Sequence, residues 1–302
     1  MLVETDAGER IICHPRGKKN TAVVGDRIKW LPTQDEGTIE KLEPRRNLFY
    51  RQDEIRTKSF AANLDQILIL IAAEPEFSES QLSRALIAAE AEHITPIIAL
   101  NKSDLTIPFA KAWERLQPYK EMGYNVVSMT LKPKNVSLAS DAADFDREKI
   151  EQQTELLMSL LQGKTTLVLG PSGAGKSTLI NAVVPNATVF TQEISQALNS
   201  GKHTTTSTTW YWVDEAKTTA LIDSPGFQEF GLNHIEAMHL ASYMPDFKVH
   251  VPNCKFYNCS HLHEPGCGVL ESMKSESIRR KISLERYRIY SSLFAELSEV
   301  RY

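Results

Sequence analysis

The stretch LGPSGAGKSTL, residues 169–179, constrains the fold more than any other part of the chain. It contains the pattern G-x-x-x-x-G-K-[ST] between an apolar run and a helical run, the context that a phosphate-binding loop requires. Glycines let backbone N–H groups turn towards phosphate oxygens, and the start of the following helix adds partial positive charge. We therefore predict an α/β fold with a parallel sheet and helices on both faces.

The side chains of this loop have separate expected roles. Lys176 is expected to reach the β- and γ-phosphate oxygens, and the Ser177 hydroxyl is expected to bind the Mg²⁺ that accompanies the nucleotide. The other loop positions are expected to surround the phosphates: Gly170, Pro171, Ser172, Gly173, Ala174, Gly175 and Thr178.

A second phosphate-sensing element is predicted at LIDSPGF, residues 221–227. Asp223 ends an apolar strand and can hold Mg²⁺ through water, while the Gly226 N–H can sense a γ-phosphate. The pattern D-x-x-G alone is weak, because turns are rich in Asp and Gly. It gains weight from the Thr-rich stretch at 201–209, one two-strand hairpin upstream, as in NTPases with switch loops. One of Thr204–Thr206 is expected to reach the metal; we assign Thr205, with Thr206 beside the nucleotide, although the sequence does not decide among the three.

The tetrapeptide Asn101-Lys102-Ser103-Asp104 predicts recognition of a guanine base. A carboxylate at Asp104 can accept from both the N1–H and the 2-amino group of guanine. Adenine lacks that amino group, so such a site discriminates strongly between the two bases. A polar strand end with a capping Asp is the alternative, but Leu100 ends a buried strand of the same alternating sheet, which favours base recognition. Ser128 ends the following strand and is expected to support the base.

These motifs stand in an unusual order, because a phosphate loop normally precedes the base-reading tetrapeptide. A parallel sheet needs only its strand order and right-handed crossovers, so the chain can begin at the base-reading half and finish with the phosphate half. A new connection over about residues 131–165 would join them. We interpret the order as a circular permutation.

The spacing of apolar, Gly, Pro and charged residues changes along the chain and predicts three domains. Residues 1–60 are short apolar stretches broken by Gly, Pro and charge, which favours a small antiparallel β-barrel. Residues 61–232 alternate strands and helices. Residues 233–302 hold the cysteines and a charged helix predicted over about 277–300. Two further predictions are one helix over 109–122 and a loop over 131–147.

Composition sets the class of protein. Hydrophobic residues make up 42% of the chain and charged residues 24%, and the net charge is −4. No apolar run reaches the ~18 residues of a membrane span, and the start resembles no signal peptide, so we expect a cytoplasmic protein without a membrane partner. Basic residues cluster at 15–19, 43–58 and 278–288. Such clusters can bind RNA, or they can be ordinary solvated surface.

Cysteine and histidine crowd one short segment. Three thiols and an imidazole offer the closed tetrahedral set of structural Zn²⁺, and a reducing compartment disfavours disulfides. The cysteines, which fall within fourteen residues, are Cys254, Cys259 and Cys267. Spacing alone does not choose between His261 and His263 as the fourth ligand. Cys13 stands apart and is interpreted as an ordinary barrel residue.

Taken together, these motifs resemble the circularly permuted GTPases of the RsgA/YjeQ type. VVGDRIKW is similar to the family's OB-like barrel, NKSD, GPSGAGKST, GKHTTTST and DSPGF to its nucleotide motifs, and NCKFYNCSHLHEPGC to its zinc motif. The resemblance places the zinc ligand at His261. It implies GTP hydrolysis to GDP and phosphate, stimulated by the small (30S) ribosomal subunit, in late maturation of that subunit and with rRNA as a contact. The family's basic N-terminal arm and first barrel strand are expected to be shortened here.

The water-positioning group is not where Ras-like enzymes have it. Phe227 follows the D-x-x-G glycine in place of Gln, and Gln228 is one residue further along. His203, just before the switch threonines, is the candidate for positioning or deprotonating the water, alongside Lys176 and Thr205. The resemblance implies the same histidine, whereas the plain alternative is an exposed loop His. We expect a monomeric enzyme; the alternatives are a GTP-sensing scaffold and a zinc-dependent RNA-binding module.

Overall fold

A computed structural model of the chain describes residues 1–17, 21–34, 36–54, 56–131, 142–185, 187, 208–226, 230–274 and 282–299. For residues 142–147 it describes the backbone alone. It confirms the predicted class: a curled N-terminal sheet, a central parallel sheet with helices, and a C-terminal region with a Cys/His cluster.

The N-terminal sheet has the strand order β1-β2-β4-β3. Its strands are β1 Leu2–Glu4, β2 Arg10–Pro15, β3 Ile28–Pro32 and β4 Gly37–Leu42. β2 and β4 run parallel, so the prediction of antiparallel pairing is wrong for this pair. The long connection after β2 carries the chain to the outer edge, where β3 turns back through a hairpin and β4 then lies beside β2. Cys13 is fully buried here, as expected of a barrel residue.

A separate hairpin joins this sheet to the rest of the chain. Strands β5 (Leu48–Gln52) and β6 (Thr57–Ala62) pair antiparallel. Phe49 and Phe60 of the hairpin pack against Phe230, with ring centroids 5.6 and 6.2 Å from it. The hairpin therefore shares its core with the segment that follows the D-x-x-G motif.

The central sheet has the order β11-β12-β10-β7-β8-β9 and is parallel except for β11, which is antiparallel to β12. Its strands are β7 Gln66–Ala72, β8 Thr95–Asn101, β9 Asn125–Ser128, β10 Thr165–Leu169, β11 Thr209–Trp212 and β12 Ala220–Asp223. Along β7, Ile67 and Ile69 face one core while Leu68 and Leu70 face another. Burial on both faces explains the unbroken apolar run that the sequence shows there.

Helices cover this sheet: α1 Glu79–Ala91, α2 Thr106–Arg115, α3 Gln117–Glu121, α4 Ala142–Leu161 and α5 Lys176–Val183. The single helix predicted over 109–122 is two helices, because Pro118 in the first turn of α3 cannot continue α2. The loop predicted over 131–147 is wrong from Ala142 onward, since α4 already begins there. A helix does not require large apolar residues, so the polar composition of this stretch gave no signal for it.

The C-terminal region is built from short elements. They are 3₁₀ helices at Ala237–Tyr243 and Val251–Asn253, and helices α6 Pro245–Lys248, α7 Gly268–Lys274 and α8 Leu284–Ser298. α8 begins later than predicted because Ser283 caps it, accepting from the Arg286 N–H. Among the residues described, no helix combines the length and apolarity needed to cross a membrane.

Candidate nucleotide and metal sites

The phosphate loop has the predicted context, between β10 and α5. Gly173 and Gly175 adopt positive φ angles of 81° and 106°, which glycine alone enters without strain. A Cβ at Gly170 would lie 2.1 Å from the Leu70 carbonyl oxygen of β7, so the loop also needs glycine there for its close approach to the sheet. Ser177 is exposed in the first turn of α5, where its hydroxyl can bind a cation.

Lys176 and Asp223 face each other at the centre of this site. The Lys176 ammonium donates to the Gly170 and Pro171 carbonyls, at 2.8 and 3.0 Å. Burial lowers the pKa of Lys176, an effect that Asp223 opposes. Burial raises the pKa of Asp223 to about 6, against the opposing effect of Lys176. Asp223 Oδ1 is buried without a hydrogen-bond partner among the described residues, as fits a group that serves a metal-bound water.

Gly226 lies against the phosphate loop. A Cβ there would be 3.3 Å from Lys176 Nζ and 3.5 Å from the Ser172 backbone nitrogen. The intervening Ser224 donates its hydroxyl to the Val168 carbonyl at 2.7 Å, which fixes the end of β12 on β10. The D-x-x-G segment is therefore held next to Lys176, where a terminal phosphate would lie.

The base-reading tetrapeptide follows β8 at the same edge of the sheet. The parallel register pairs Ala72 with Asn101 and Leu100 with Ser128, so the carboxyl ends of β7, β8 and β9 meet there. Asp104 is exposed beyond the strand end, as a ligand-contacting carboxylate should be.

Asn101 ties the two halves of the site together. Its side chain is only 2% exposed, and its amide nitrogen donates to the Ala174 carbonyl of the phosphate loop at 2.9 Å. Its amide oxygen accepts from the backbone N–H groups of Lys102 and Leu131, at 2.7 and 3.0 Å. A Cβ at Gly175 would lie 2.4 Å from the same amide nitrogen. Motifs that are about seventy residues apart in sequence thus form one hydrogen-bonded unit.

The loop after β8 is also linked to the loop after β9. The Ser103 hydroxyl is 2.5 Å from the Thr130 hydroxyl, and either atom can be the donor. Gln153 of α4 reaches the same place, with its amide nitrogen 3.4 Å from both Ser103 Oγ and Ser128 Oγ. Neither Thr130 nor Gln153 belongs to a short motif, and sequence reasoning missed both.

A Cys/His cluster forms in the C-terminal region, and its four ligand atoms lie within 4.8 Å of one another: those of Cys254, Cys259, His261 and Cys267. His261 Nδ1 is 3.4 Å from Cys254 Sγ and 3.5 Å from Cys267 Sγ, and these two sulfurs are 4.0 Å apart. Tetrahedral zinc, with bonds of about 2.3 Å to sulfur and about 2.0 Å to nitrogen, requires separations of roughly 3.5 and 3.8 Å. The four residues can therefore hold a metal ion.

The surroundings of the cluster fit a resident cation. His261 is buried, while His263 is exposed, which removes the ambiguity that spacing left. Burial raises the pKa of both the Cys259 and the Cys267 thiol, so a bound cation is what would keep them as thiolates. Helix α8 supports the segment, since Tyr287 donates its hydroxyl to the His261 carbonyl at 3.0 Å.

Comparison with known proteins decides the family. The sequence model of the RsgA GTPase family matches residues 42–233. The chain belongs to the RsgA GTPase family. A relative from Variovorax paradoxus, called small ribosomal subunit biogenesis GTPase RsgA, is 68% identical over 301 residues, covering 100% of this chain and 90% of the relative. The protein of that name from Paraburkholderia phytofirmans is 46% identical over 304 residues, covering 99% and 90%.

Solved structures agree with this membership. YjeQ from Thermotoga maritima superposes with a TM-score of 0.69 at 28% identity, covering 99% of this chain and 95% of its own. YloQ, described as a circularly permuted GTPase, gives a TM-score of 0.67 at 26% identity, covering 99% and 90%. The permuted order inferred from the motifs is thus a property of the family, and the chain is a GTPase of that family.

Some predicted site residues lie outside the described residues: His203, the switch threonines Thr204–Thr206, and Phe227 with Gln228. Their roles stay predictions. The other predicted nucleotide residues all lie at the carboxyl edge of the sheet or in the first turn of α5.

The loop after β7 is a further part of the site that the sequence did not indicate. The Lys102 ammonium donates to the Glu74 carbonyl, and a Cβ at Gly173 would be 3.4 Å from Pro75 Cδ. Residues 74–75 therefore lie between the base-reading and phosphate loops. The only available signal was positional, since β7 ends at the same edge as β8 and β10.

Two of the basic clusters are partly engaged within the fold. Arg45 forms an ion pair with Asp26 at 2.7 Å, and Arg46 pairs with Asp65 at 2.8 Å. Arg286 is 3% exposed and pairs with Asp246 at 2.8 Å. Arg286 is therefore buried and not available to RNA, whereas Arg46 stays exposed beside its partner.

Proposed function

We propose that this chain is a GTPase of small ribosomal subunit maturation, which binds rRNA and hydrolyses GTP to GDP and phosphate with stimulation by the 30S subunit. The observation that carries the proposal is the hydrogen bond from Asn101 to Ala174, because it unites the base-reading and phosphate loops of a permuted sheet. The relatives' names, small ribosomal subunit biogenesis GTPase, support the biological setting.

In this proposal the chain binds the nucleotide at its guanine base and at its phosphates. Asp104 accepts from the guanine N1–H and 2-amino group, with Ser128 behind the base. The Lys176 ammonium, which contacts loop carbonyls at 2.8 and 3.0 Å, turns towards the phosphate oxygens. The Ser177 hydroxyl and Thr205 would hold Mg²⁺, and Asp223 would contact the ion through water. Mg²⁺ supplies charge neutralisation at the phosphates when it is bound.

The proposed hydrolysis needs a group that positions the attacking water. His203 is assigned this task, because Phe227 has no polar atom to offer where Ras-like enzymes place Gln. The water attacks the γ-phosphorus, the bond to the β–γ bridging oxygen breaks, and GDP leaves with the electron pair. The protons of the water leave with the inorganic phosphate. A site completed by an ordered loop turns over slowly alone and fast with its partner.

The metal in the Cys/His cluster is proposed to be one structural Zn²⁺ per chain. All four positions of a tetrahedral ion are filled by Cys254, Cys259, His261 and Cys267, so no position is open for a substrate. The metal's role is to fold the C-terminal segment against α8.

The proposed organisation is a monomeric cytoplasmic protein of three domains. Residues 1–60 form the OB-like RNA-binding domain, 61–232 the permuted GTPase domain, and 233–302 the zinc-binding helical domain. Exposed basic side chains such as Arg56 and Arg288 are suited to rRNA phosphates.

The proposal is tested by measuring GTP turnover with and without purified 30S subunits. We expect subunits to raise the rate by orders of magnitude, as ordering of a trans-activated GTPase site does. His203→Ala should keep GTP and subunit binding and lose most of that stimulation. Equal turnover with and without subunits would contradict the proposed function, and full stimulation of the variant would remove His203 from it.

A further inference from the structure

Helix α4 joins the two halves of the permuted nucleotide site. It leads from the base-reading half to β10 and the phosphate loop. The apolar side chains of its second half hold it on the sheet, since Leu157 and Leu161 are buried in the core on that face. Gln66 of β7 adds a hydrogen bond to the Leu160 carbonyl at 2.9 Å. The position of α4 is therefore secured without any help from Gln153.

Gln153 makes contacts that packing of the helix does not require. Its amide nitrogen is 3.4 Å from Ser103 Oγ and 3.4 Å from Ser128 Oγ. Ser103 belongs to the base-reading tetrapeptide, and Ser128 ends the neighbouring strand β9. One primary amide carries two N–H bonds, so it can serve both hydroxyls at once.

The other end of this amide has no partner. Gln153 Oε1 is buried and accepts no hydrogen bond from the residues that the structure describes. A buried acceptor without a donor is unfavourable, and native proteins keep few of them unless a ligand or a rearrangement satisfies them. The neighbouring Gln152 is exposed and donates to Glu148, at 3.2 Å on the same helix. Of these two neighbouring glutamines, Gln153, which lies beside the base-reading loops, is the one with a buried oxygen that lacks a donor.

We infer that Gln153 is a specificity-determining residue for the guanine base, acting by positioning the loops that carry Ser103 and Ser128. The amide holds the loop after β8 against the end of β9. Asp104 directly follows Ser103, so its carboxylate is kept where it meets the N1–H and the 2-amino group together. The inference rests on the proposed role of Asp104.

The test compares the affinities of GDP and IDP, because inosine lacks only the 2-amino group of guanine. Gln153→Met keeps the length of the side chain and removes both polar atoms. It should weaken GDP binding by about tenfold, the loss expected from two long hydrogen bonds. IDP binding should change less, so the preference for GDP over IDP should shrink. Gln152→Met is the matched control and should leave both affinities unchanged.

One further variant separates positioning from a loss of fold. Gln153→Glu keeps oxygens that both serine hydroxyls can reach by rotating, and it should retain most of the GDP preference. A preference as weak as that of Gln153→Met would overturn the inference.

An unchanged ratio of GDP to IDP affinity in Gln153→Met would also overturn it, since a merely structural role lowers both affinities in proportion. Asp104→Asn distinguishes this failure from failure of the proposed function. If Asp104→Asn gains xanthine nucleotides while Gln153→Met keeps the normal ratio, the base site stands and only the role of Gln153 is lost.

Discussion

The substitution Asn101→Ala tests how the two halves of the site depend on each other. The side chain is 2% exposed and makes hydrogen bonds of 2.9, 2.7 and 3.0 Å to Ala174, Lys102 and Leu131. Its removal leaves one carbonyl and two N–H groups of the backbone without their partner. Each such group costs about 1–3 kcal/mol when buried, and the terms do not add fully.

Taking the lower end for each group gives a total of about 3 kcal/mol, which corresponds to roughly a 100-fold loss when it falls on nucleotide affinity. We expect the loss to divide between GDP affinity and the free energy of unfolding, because Asn101 shapes the loops and holds them on the sheet. Fluorescence titration with labelled GDP measures the first, and urea unfolding without nucleotide measures the second.

Asn125→Ala is the matched control, since Asn125 is an exposed residue at the amino end of the neighbouring strand β9. It should leave both quantities within experimental error. The reasoning is refuted if Asn101→Ala binds GDP within threefold of the parent chain and unfolds at the same urea concentration.

Three other predictions concern separate parts of the molecule. Elemental analysis should detect one zinc per parent chain and none in Cys259→Ser, and hydrogen exchange should show the loss of protection largely confined to the C-terminal region. Because burial raises the pKa of Asp223 to about 6, its carboxylate takes up a proton as the pH falls through that value. Affinity for Mg²⁺ with GDP should therefore fall below about pH 6. Asp223→Asn should show a smaller fall, because only the ionisation of the terminal phosphate of GDP at about pH 6 remains. Gly231→Ala should lower the free energy of unfolding by about 1–3 kcal/mol, because the new Cβ would lie 2.4 Å from the Gln52 carbonyl oxygen of β5; an unchanged urea midpoint would contradict the pairing of these segments.

Local sequence was sufficient where a short segment carries its own physical reason. The apolar run of β7, the glycines of the phosphate loop and the polar end of β8 each predict their element without knowledge of the fold. The permuted order could also be inferred, because the carboxyl ends of parallel strands meet at one edge whichever strand comes first.

Contacts between distant segments could not be predicted in this way. Thr130 and Gln153 contact the base-reading loops because the fold places β9 and α4 beside them, and no spacing in the sequence predicts these contacts. The same reason applies to one of the basic residues. Arg286 is part of a charged run, yet its partner Asp246 lies forty residues away, so its burial becomes visible only in the fold.

The most direct test of a single GTP site built from two separated halves is the nucleotide preference of Asp104→Asn. An amide in place of the carboxylate can donate to the 2-oxo group of xanthine, so kcat/KM should fall for GTP and rise for XTP. Adding Lys176→Ala should abolish the acquired XTP turnover, because the same site must then bind the phosphates. An Asp104→Asn chain that still prefers GTP, or a double variant that still hydrolyses XTP, would contradict the account.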